Sequence, residues 1–421
     1  MLKKIPTYLI ALIPLSLIAG PLIAEIIFLV LSIYFIIKFD KNDIFLFKNK
    51  FFICFIIFCL YISIRSLFTD QLYISLKSSL LYFRFAIYAL AIIYFLNKDN
   101  NALRINYNFY KYTLLFLIID SLTQVFTGKD LFGLEPESET LMRISGPFGD
   151  EFVLGSFIQK ILPVFIYLVI KKREIVNKIF FTDYIIIIFS FVIIYRSGDR
   201  SALGLILFFS FIIFFIYKDF RKKMMLIFGI FIIFCSILSL HNPNISKRIF
   251  IDTFGQFTGK HHNDLIKEDS EGNKQNILFF SFHHQTHFQT AYSMFKSKPI
   301  IGHGVKIFRF ECKNHVEDKK MIPYACSTHP HNTYLQLLAE TGIIGFLTIF
   351  FVFILTCLAI TKKIIYKKNK LNPSDCLLIA IFINLWPLIP TGNFFNNWLS
   401  MLYFLPVAFY LFETKKLEKI N

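Results

Sequence analysis

Apolar residues run along this chain in blocks long enough to cross a bilayer, separated by short polar links. A helix needs about 20 apolar residues to span the hydrocarbon core. The pattern predicts about twelve helical spans, near residues 6–19, 22–37, 51–67, 72–96, 109–127, 147–170, 181–195, 200–217, 224–240, 331–361, 375–390 and 394–412. One stretch departs from it, the long polar segment at about 241–330. The expected architecture is therefore an all-α polytopic membrane protein in three parts. Residues 1–240 carry nine spans, 241–330 form a large loop containing short helices, and 331–421 carry three more spans.

Composition agrees: 55% of the residues are hydrophobic, 54 of them are Phe, and the mean hydropathy is +0.57. A soluble globular domain is excluded. The net charge of +17 would suit a nucleic-acid partner only if it formed a basic patch with interleaved aromatics, and it does not. The cations sit between the apolar runs instead. Lys38, Lys41, Lys48 and Lys50 mark one link, Lys171, Lys172, Arg173 and Lys178 a second, and Lys218, Arg221, Lys222 and Lys223 a third. Lys362, Lys363, Lys367, Lys368 and Lys370 mark a fourth. If the spans alternate, all four links share one side with both termini, while the other side's short loops carry mainly Lys129, Arg143, Arg196 and Arg200. The positive-inside rule then makes both ends cytoplasmic and puts 241–330 outside. Lys3 and Lys4 before Ile18-Ala19-Gly20 resemble a signal peptide, but Pro21 leads into another apolar run, so an uncleaved first hairpin is expected.

Two of the seven cysteines, Cys312 and Cys326, fall in the outer loop, where an oxidising compartment would allow them to pair. Cys54, Cys59, Cys235, Cys357 and Cys376 lie in apolar runs and read as small core residues. All ten histidines lie between His241 and His331. Exclusion of polar groups from lipid accounts for most of that clustering. His283, His284 and His287 have the spacing of ligands on one helical face, and His329 and His331 form a second pair. No Cys or carboxylate cluster completes a tetrahedral set, so no metal is expected and these imidazoles read as solvated or phosphate-facing.

Candidate chemistry concentrates at the outer ends of the spans. His331-Asn332 opens a long apolar run, with Pro330 expected at the first helical position and His331, Leu335, Leu338, Gly342 and Gly345 on one face. Glu340 points the other way, an intramembrane carboxylate expected to contact substrate or to pair with Arg84 or another buried cation. The turn Arg196-Ser-Gly-Asp-Arg-Ser201 joins two spans, with Asp199 or Ser197 as the cap of the second. Arginines near a helix N-terminus oppose its dipole by about 0.3–1 kcal/mol, a penalty that an anionic ligand reverses. Arg143 is a third candidate contact to such a ligand. Lys298-Pro-Ile-Ile-Gly-His-Gly304 reads as a tight turn after an amphipathic helix bearing Phe288, Tyr292 and Phe295, and lacks the strand and spacing of a nucleotide loop.

Together these pieces resemble the O-antigen ligase and polymerase superfamily. The resemblance rests on His331, Asn332, Gly342 and Gly345 in the order His-Asn, nine residues, Gly, two residues, Gly, supported by the Gly-Asp-Arg-Ser turn at 198–201 and the Pro-Ile-Ile-Gly-His-Gly run at 299–304. By motif it covers most of residues 140–350, and elsewhere topology alone. It implies transfer of a glycan from an undecaprenyl diphosphate carrier to an acceptor hydroxyl in the bacterial inner membrane, without nucleotide sugar, cofactor or metal. The acceptor would be a lipid A-core sugar for a ligase or a growing glycan for a polymerase. On this resemblance His331 is the catalytic base and Arg196 and Arg200 hold the diphosphate, with Asn332, Arg143, His284, His287 and Glu340 as substrate contacts. Many members carry an arginine shortly before the loop's Pro-x-x-Gly turn, and here its nearest counterparts are His284 and His287. A lipid-linked oligosaccharide flippase is the rival from another class, but the inverted repeats and broken helices of transporters are not evident in the sequence.

Overall fold

The computed structural model describes residues 4–40, 43, 46–135, 143–176, 180–258, 281–316, 319–366 and 372–418. The first part contains α1 (Ile5–Ala19), α2 (Pro21–Lys38), α3 (Lys50–Ser66), α4 (Leu72–Leu80), α5 (Arg84–Lys98), α6 (Ala102–Thr127), α7 (Leu154–Val176), α8 (Phe181–Arg196), α9 (Arg200–Ile216) and α10 (Arg221–His241). Short helices follow: α11 (Pro243–Ser246), α12 (Asp252–Thr258), α13 (Phe282–Ser297), α14 (Phe308–Glu311) and α15 (Ile322–Ala325). The chain ends with α16 (Thr333–Ile365), α17 (Pro373–Asn384) and α18 (Asn397–Glu418). Each of the twelve apolar runs contains a helix, and the run at 72–96 holds two, α4 and α5.

Among the described residues, five helical segments are long and apolar enough to cross a membrane: Pro21–Lys38, Leu72–Lys98, Leu154–Glu174, Lys218–His241 and Thr333–Ile365. Ile5–Ala19, Arg200–Ile216 and Pro373–Asn384 are shorter apolar helices. The outer faces of α2 and α10 expose Leu22, Ile37, Leu226 and Leu240, a surface stable against lipid and costly against water. At the centre α7 packs against α6, α8, α9, α17 and α18. It contributes Phe157, Phe165 and Tyr167, all fully buried. Helix α17 is buried on nearly every side, as expected of a helix apolar all round.

Three buried carboxylates tie these helices together, each by the same device of a tyrosine hydroxyl and a lysine. Tyr107 donates to Asp183 at 2.6 Å with Lys111 at 3.4 Å. Tyr167 donates to Glu413 at 2.9 Å with Lys171 at 2.6 Å. Tyr217 donates to Asp375, which pairs with Lys363 at 2.6 Å. An unpaired carboxylate at these positions would cost several kcal/mol, about the penalty for an unpaired buried charge.

The feature that positions the rest is a break inside α16. Gly342 has φ 64° and ψ −168°, so helix geometry stops there and resumes on its far side. The freed backbone groups find partners on the turn that runs from Pro299 to Gly304. His303 N donates to the Ala339 carbonyl at 3.0 Å, Gly304 N to Glu340 at 2.7 Å, and Ile343 N to Pro299 at 2.9 Å. Tyr61 of α3 donates to the Thr341 carbonyl at 2.6 Å, and the buried Arg65 grips the turn through the Ile301 and Gly302 carbonyls. Backbone meets backbone so closely that a Cβ on Gly342 would lie 2.3 Å from the Ile300 oxygen. One on Gly302 would lie 2.5 Å from the Glu340 carbonyl carbon.

Three expectations are corrected here. Helix α16 starts at Thr333, so Pro330 and His331 precede it and the proposed face through His331 does not exist. A broken helix, absent from the sequence reading, is present at Gly342, because hydropathy does not register a turn that inserts its own hydrogen bonds. Glu340 does not pair with Arg84, which is bound to Glu25. It accepts from the Phe308 amide at 3.2 Å and from Gln336 at 3.0 Å.

Because a side chain in the backbone region of Gly342 costs about 1–3 kcal/mol before any overlap is counted, Gly342→Ala and Gly302→Ala are expected to lower the thermal unfolding midpoint of the detergent-purified protein markedly. Gly229→Ala, with nothing within 4 Å of its Cβ position, should leave it unchanged.

Candidate active site

The start of α16 is held by the segment between α17 and α18. Asn332 is the N-cap, its side chain accepting from the Tyr334 and Leu335 amides at 3.0 Å each. Its Nδ2 donates to the Pro387 carbonyl at 2.8 Å. Gln336 bridges Glu340 and Asn393, and accepts from the Phe394 amide at 2.9 Å. The Thr391 amide donates to the His331 carbonyl at 2.8 Å. With both sides fixed, His331 adopts φ 55°, a left-handed conformation uncommon outside glycine.

His331 is the hub of four imidazoles. Ring centroids lie at 4.1 Å for His329, 5.2 Å for His287 and 5.5 Å for His284. His284 and His287 come from α13, which packs against α16. Burial lowers the pKa of His331 below the usual imidazole value. Burial, and then the charge of His331, pushes His284 and His287 down to about 4 and His329 to about 3. The cluster is therefore neutral at pH 7. Nδ1 of His287 and Nε2 of His329 are buried without a hydrogen-bond partner among the described residues.

Opposite stands the turn after α8. Asp199 caps α9, accepting from the Ala202 amide at 3.0 Å. Arg143 donates to the Ser197 carbonyl at 2.9 Å and lies 4.4 Å over the Phe152 ring. Arg248 donates to the Gly198 carbonyl at 3.1 Å, and Arg200 to Thr253 at 3.2 Å. Burial and the neighbouring Arg248 guanidinium lower Arg143 to about 10, still fully charged at neutral pH.

Both sides line one cavity of about 1160 Å³. Its cationic lining is Arg143, Lys160, Arg200, Arg248, Lys306 and Arg309, against the carboxylates of Glu151 and Asp199. His284, His329 and His331 line it as well. A cavity with that excess of positive charge favours an anionic ligand, and the neutral imidazole beside it can accept a proton.

Of the residues expected at a site, Arg143, Arg200, His284 and His331 meet in this cavity. His287 touches His331 from behind. Arg196 ends α8, is buried and is not among the cavity's lining residues. Asn332 and the fully buried Glu340 do not line it either, and both are occupied in holding α16. Sequence reasoning missed Arg248, Lys306, Arg309 and Lys160. Two of them had a readable signal: the missing loop arginine was sought before the Pro-Ile-Ile-Gly turn, whereas Lys306 and Arg309 follow it.

Residues 185–350 match the family model described as O-antigen ligase. That segment, about two fifths of the chain, is similar to the O-antigen ligase and polymerase superfamily. No curated protein matches the chain. The O-antigen ligase segment contains His284, His329, His331, Arg200, Arg248, Lys306 and Arg309, whereas Arg143, Lys160 and Thr391 reach the same cavity from outside it.

The imidazole cluster gives acid sensitivity a sign. Above about pH 6.5, the ordinary value, folded and unfolded histidines are both neutral and stability is level. As pH falls from there toward 4 the unfolded chain takes up protons that the folded cluster refuses, so stability declines by about 1.4 kcal/mol per unit of depressed pKa. Unfolding midpoints measured from pH 8 to pH 4.5 should show this fall, and His284→Asn with His287→Asn should flatten it.

Proposed function

We propose that this protein is a glycosyltransferase of the O-antigen ligase type. In this reading it moves a glycan from undecaprenyl diphosphate to a lipid A-core sugar hydroxyl at the periplasmic face of the bacterial inner membrane, with both chain termini cytoplasmic. The reading rests above all on one observation: His331, in left-handed backbone, faces the same cavity as Arg200. The diphosphate lies among Arg200, Arg143 and Arg248. Arg143 and Arg248 take the place first given to Arg196, because they line the cavity and Arg196 does not.

A sugar hydroxyl is too weakly acidic to attack unaided. Neutral His331 accepts its proton as the oxygen bonds to the anomeric carbon, a contribution of about 10²–10⁴-fold. The bond from that carbon to the phosphate oxygen breaks with its electron pair moving to the diphosphate. Lys306 and Arg309, with the turn arginines, stabilise the charge that develops there. Displacement from one face inverts the anomeric centre. The break at Gly342 belongs to this site's scaffold: its backbone groups bond to the protein's own turn, whereas broken transporter helices present theirs to ions or substrate.

The test is transfer by purified protein from a lipid-linked glycan donor to lipid A-core. His331→Ala should lose about 10²–10⁴-fold in rate, and Arg200→Ala or Arg248→Ala about 10²–10³-fold, each with a wild-type unfolding midpoint. A folded His331→Ala with undiminished transfer would refute the base assignment. Elongation of the donor glycan in place of transfer to lipid A-core would make the protein a polymerase. The wild-type rate should hold between pH 7 and 8 and fall in acid only below about 6.5, because burial lowers the His331 pKa beneath that ordinary value.

A further inference from the structure

Beyond the Gly302 turn, three ligating side chains stand together that the transfer chemistry does not use. One ligating atom from each of His303, Glu311 and His315 lies within 4.8 Å of the other two. None of the three lines the cavity. Nε2 of His303 is 3.0 Å from the Met294 carbonyl and 2.9 Å from the Ser297 hydroxyl. A carbonyl only accepts, so Nε2 carries the proton and the lone pair is on Nδ1, the arrangement in which a metal-bound histidine is usually held. The His303 and His315 rings lie 5.1 Å apart. Glu311 supplies the negative charge, and its Oε2 accepts from Asn314 at 3.0 Å.

The backbone that carries these groups is anchored at both ends. The His303 amide is bonded to the Ala339 carbonyl of α16. Next to Glu311, Cys312 is joined to Cys326 by a disulfide. Between the anchors lie Lys306 and Arg309, both of which reach the cavity.

We propose that His303, Glu311 and His315 bind one divalent metal ion of the zinc class, and that the ion braces the segment presenting Lys306 and Arg309 to the cavity. Two imidazoles and a carboxylate form a familiar three-ligand zinc set, with water completing the tetrahedron. Zinc bonds of about 2.0–2.2 Å put tetrahedral ligand atoms about 3.4 Å apart, so atoms within 4.8 Å of one another draw together by at most about 1.4 Å.

The experiment uses the full chain, purified on a histidine-free tag, stripped with EDTA and dialysed against micromolar zinc. Metal content is read by mass spectrometry and stability by the unfolding midpoint. Expected are about one zinc per chain and a midpoint that EDTA lowers and zinc restores. Both effects should vanish in His303→Ala with His315→Ala and in Glu311→Gln, and persist in His284→Ala with His287→Ala. A wild-type chain that takes up no zinc, equal zinc in the His303 and His315 variant, or loss confined to the His284 and His287 variant would each overturn the proposal. These readouts are independent of glycan transfer.

Discussion

The joint between the Pro299–Gly304 turn and the break at Gly342 is the constraint on which the rest of the site depends. A membrane helix cannot leave amides and carbonyls unbonded in an apolar surrounding, where each costs several kcal/mol. Here the carbonyls of Ala339, Glu340 and Thr341 and the amide of Ile343 are all satisfied from outside the helix, by the turn and by Tyr61. The turn is thereby fixed in depth and direction against α16. Val305, Ile307 and Phe308, which follow it, are buried, and the Phe308 amide is bonded to Glu340. Lys306 and Arg309 inherit their positions from that seating, and α13, which leads into the turn, brings His284 and His287 against His331.

Electrostatics then divides the work of the cavity between two kinds of group. Arg143 keeps its charge despite burial, because a guanidinium lowered to about 10 is still protonated at pH 7. The imidazoles opposite lose theirs, since burial and mutual repulsion lower His284, His287 and His329 well below neutral pH. Permanent cations beside neutral imidazoles in one cavity suit the proposed reaction, in which an anion departs as a proton is taken up. In the proposed reaction, a charged His331 could not accept the proton and a neutral arginine could not hold the leaving group.

Much of this was legible in the sequence. Helix positions followed from hydropathy because lipid exposure leaves long uninterrupted apolar runs, and each such run does contain a helix. His331 and Arg200 stood out because a polar residue at the mouth of an apolar run is otherwise expensive to keep, and both line the one cavity. The glycines of the motif were visible, but their purpose was not. Their spacing suggests close helix packing, whereas Gly342 is a break and Gly302 its partner forty residues earlier. Asn332 and Glu340 read as substrate contacts in the sequence because a cap and a buried carboxylate look like binding groups, whereas in the fold they bond within the protein and do not line the cavity. Arg248 was missed for a related reason: nothing local distinguishes it from other loop cations, and only the fold brings it over the Gly198 carbonyl.

The central claim is that His331 and the Gly198-turn arginines face one bound diphosphate across a single chamber. A cryo-electron-microscopy structure of the protein with undecaprenyl diphosphate tests it most directly. Density for the diphosphate should lie among Arg143, Arg200 and Arg248, with the His331 ring within one bridging water of its terminal oxygens. Density bound elsewhere, or separated from His331 by protein, would contradict it.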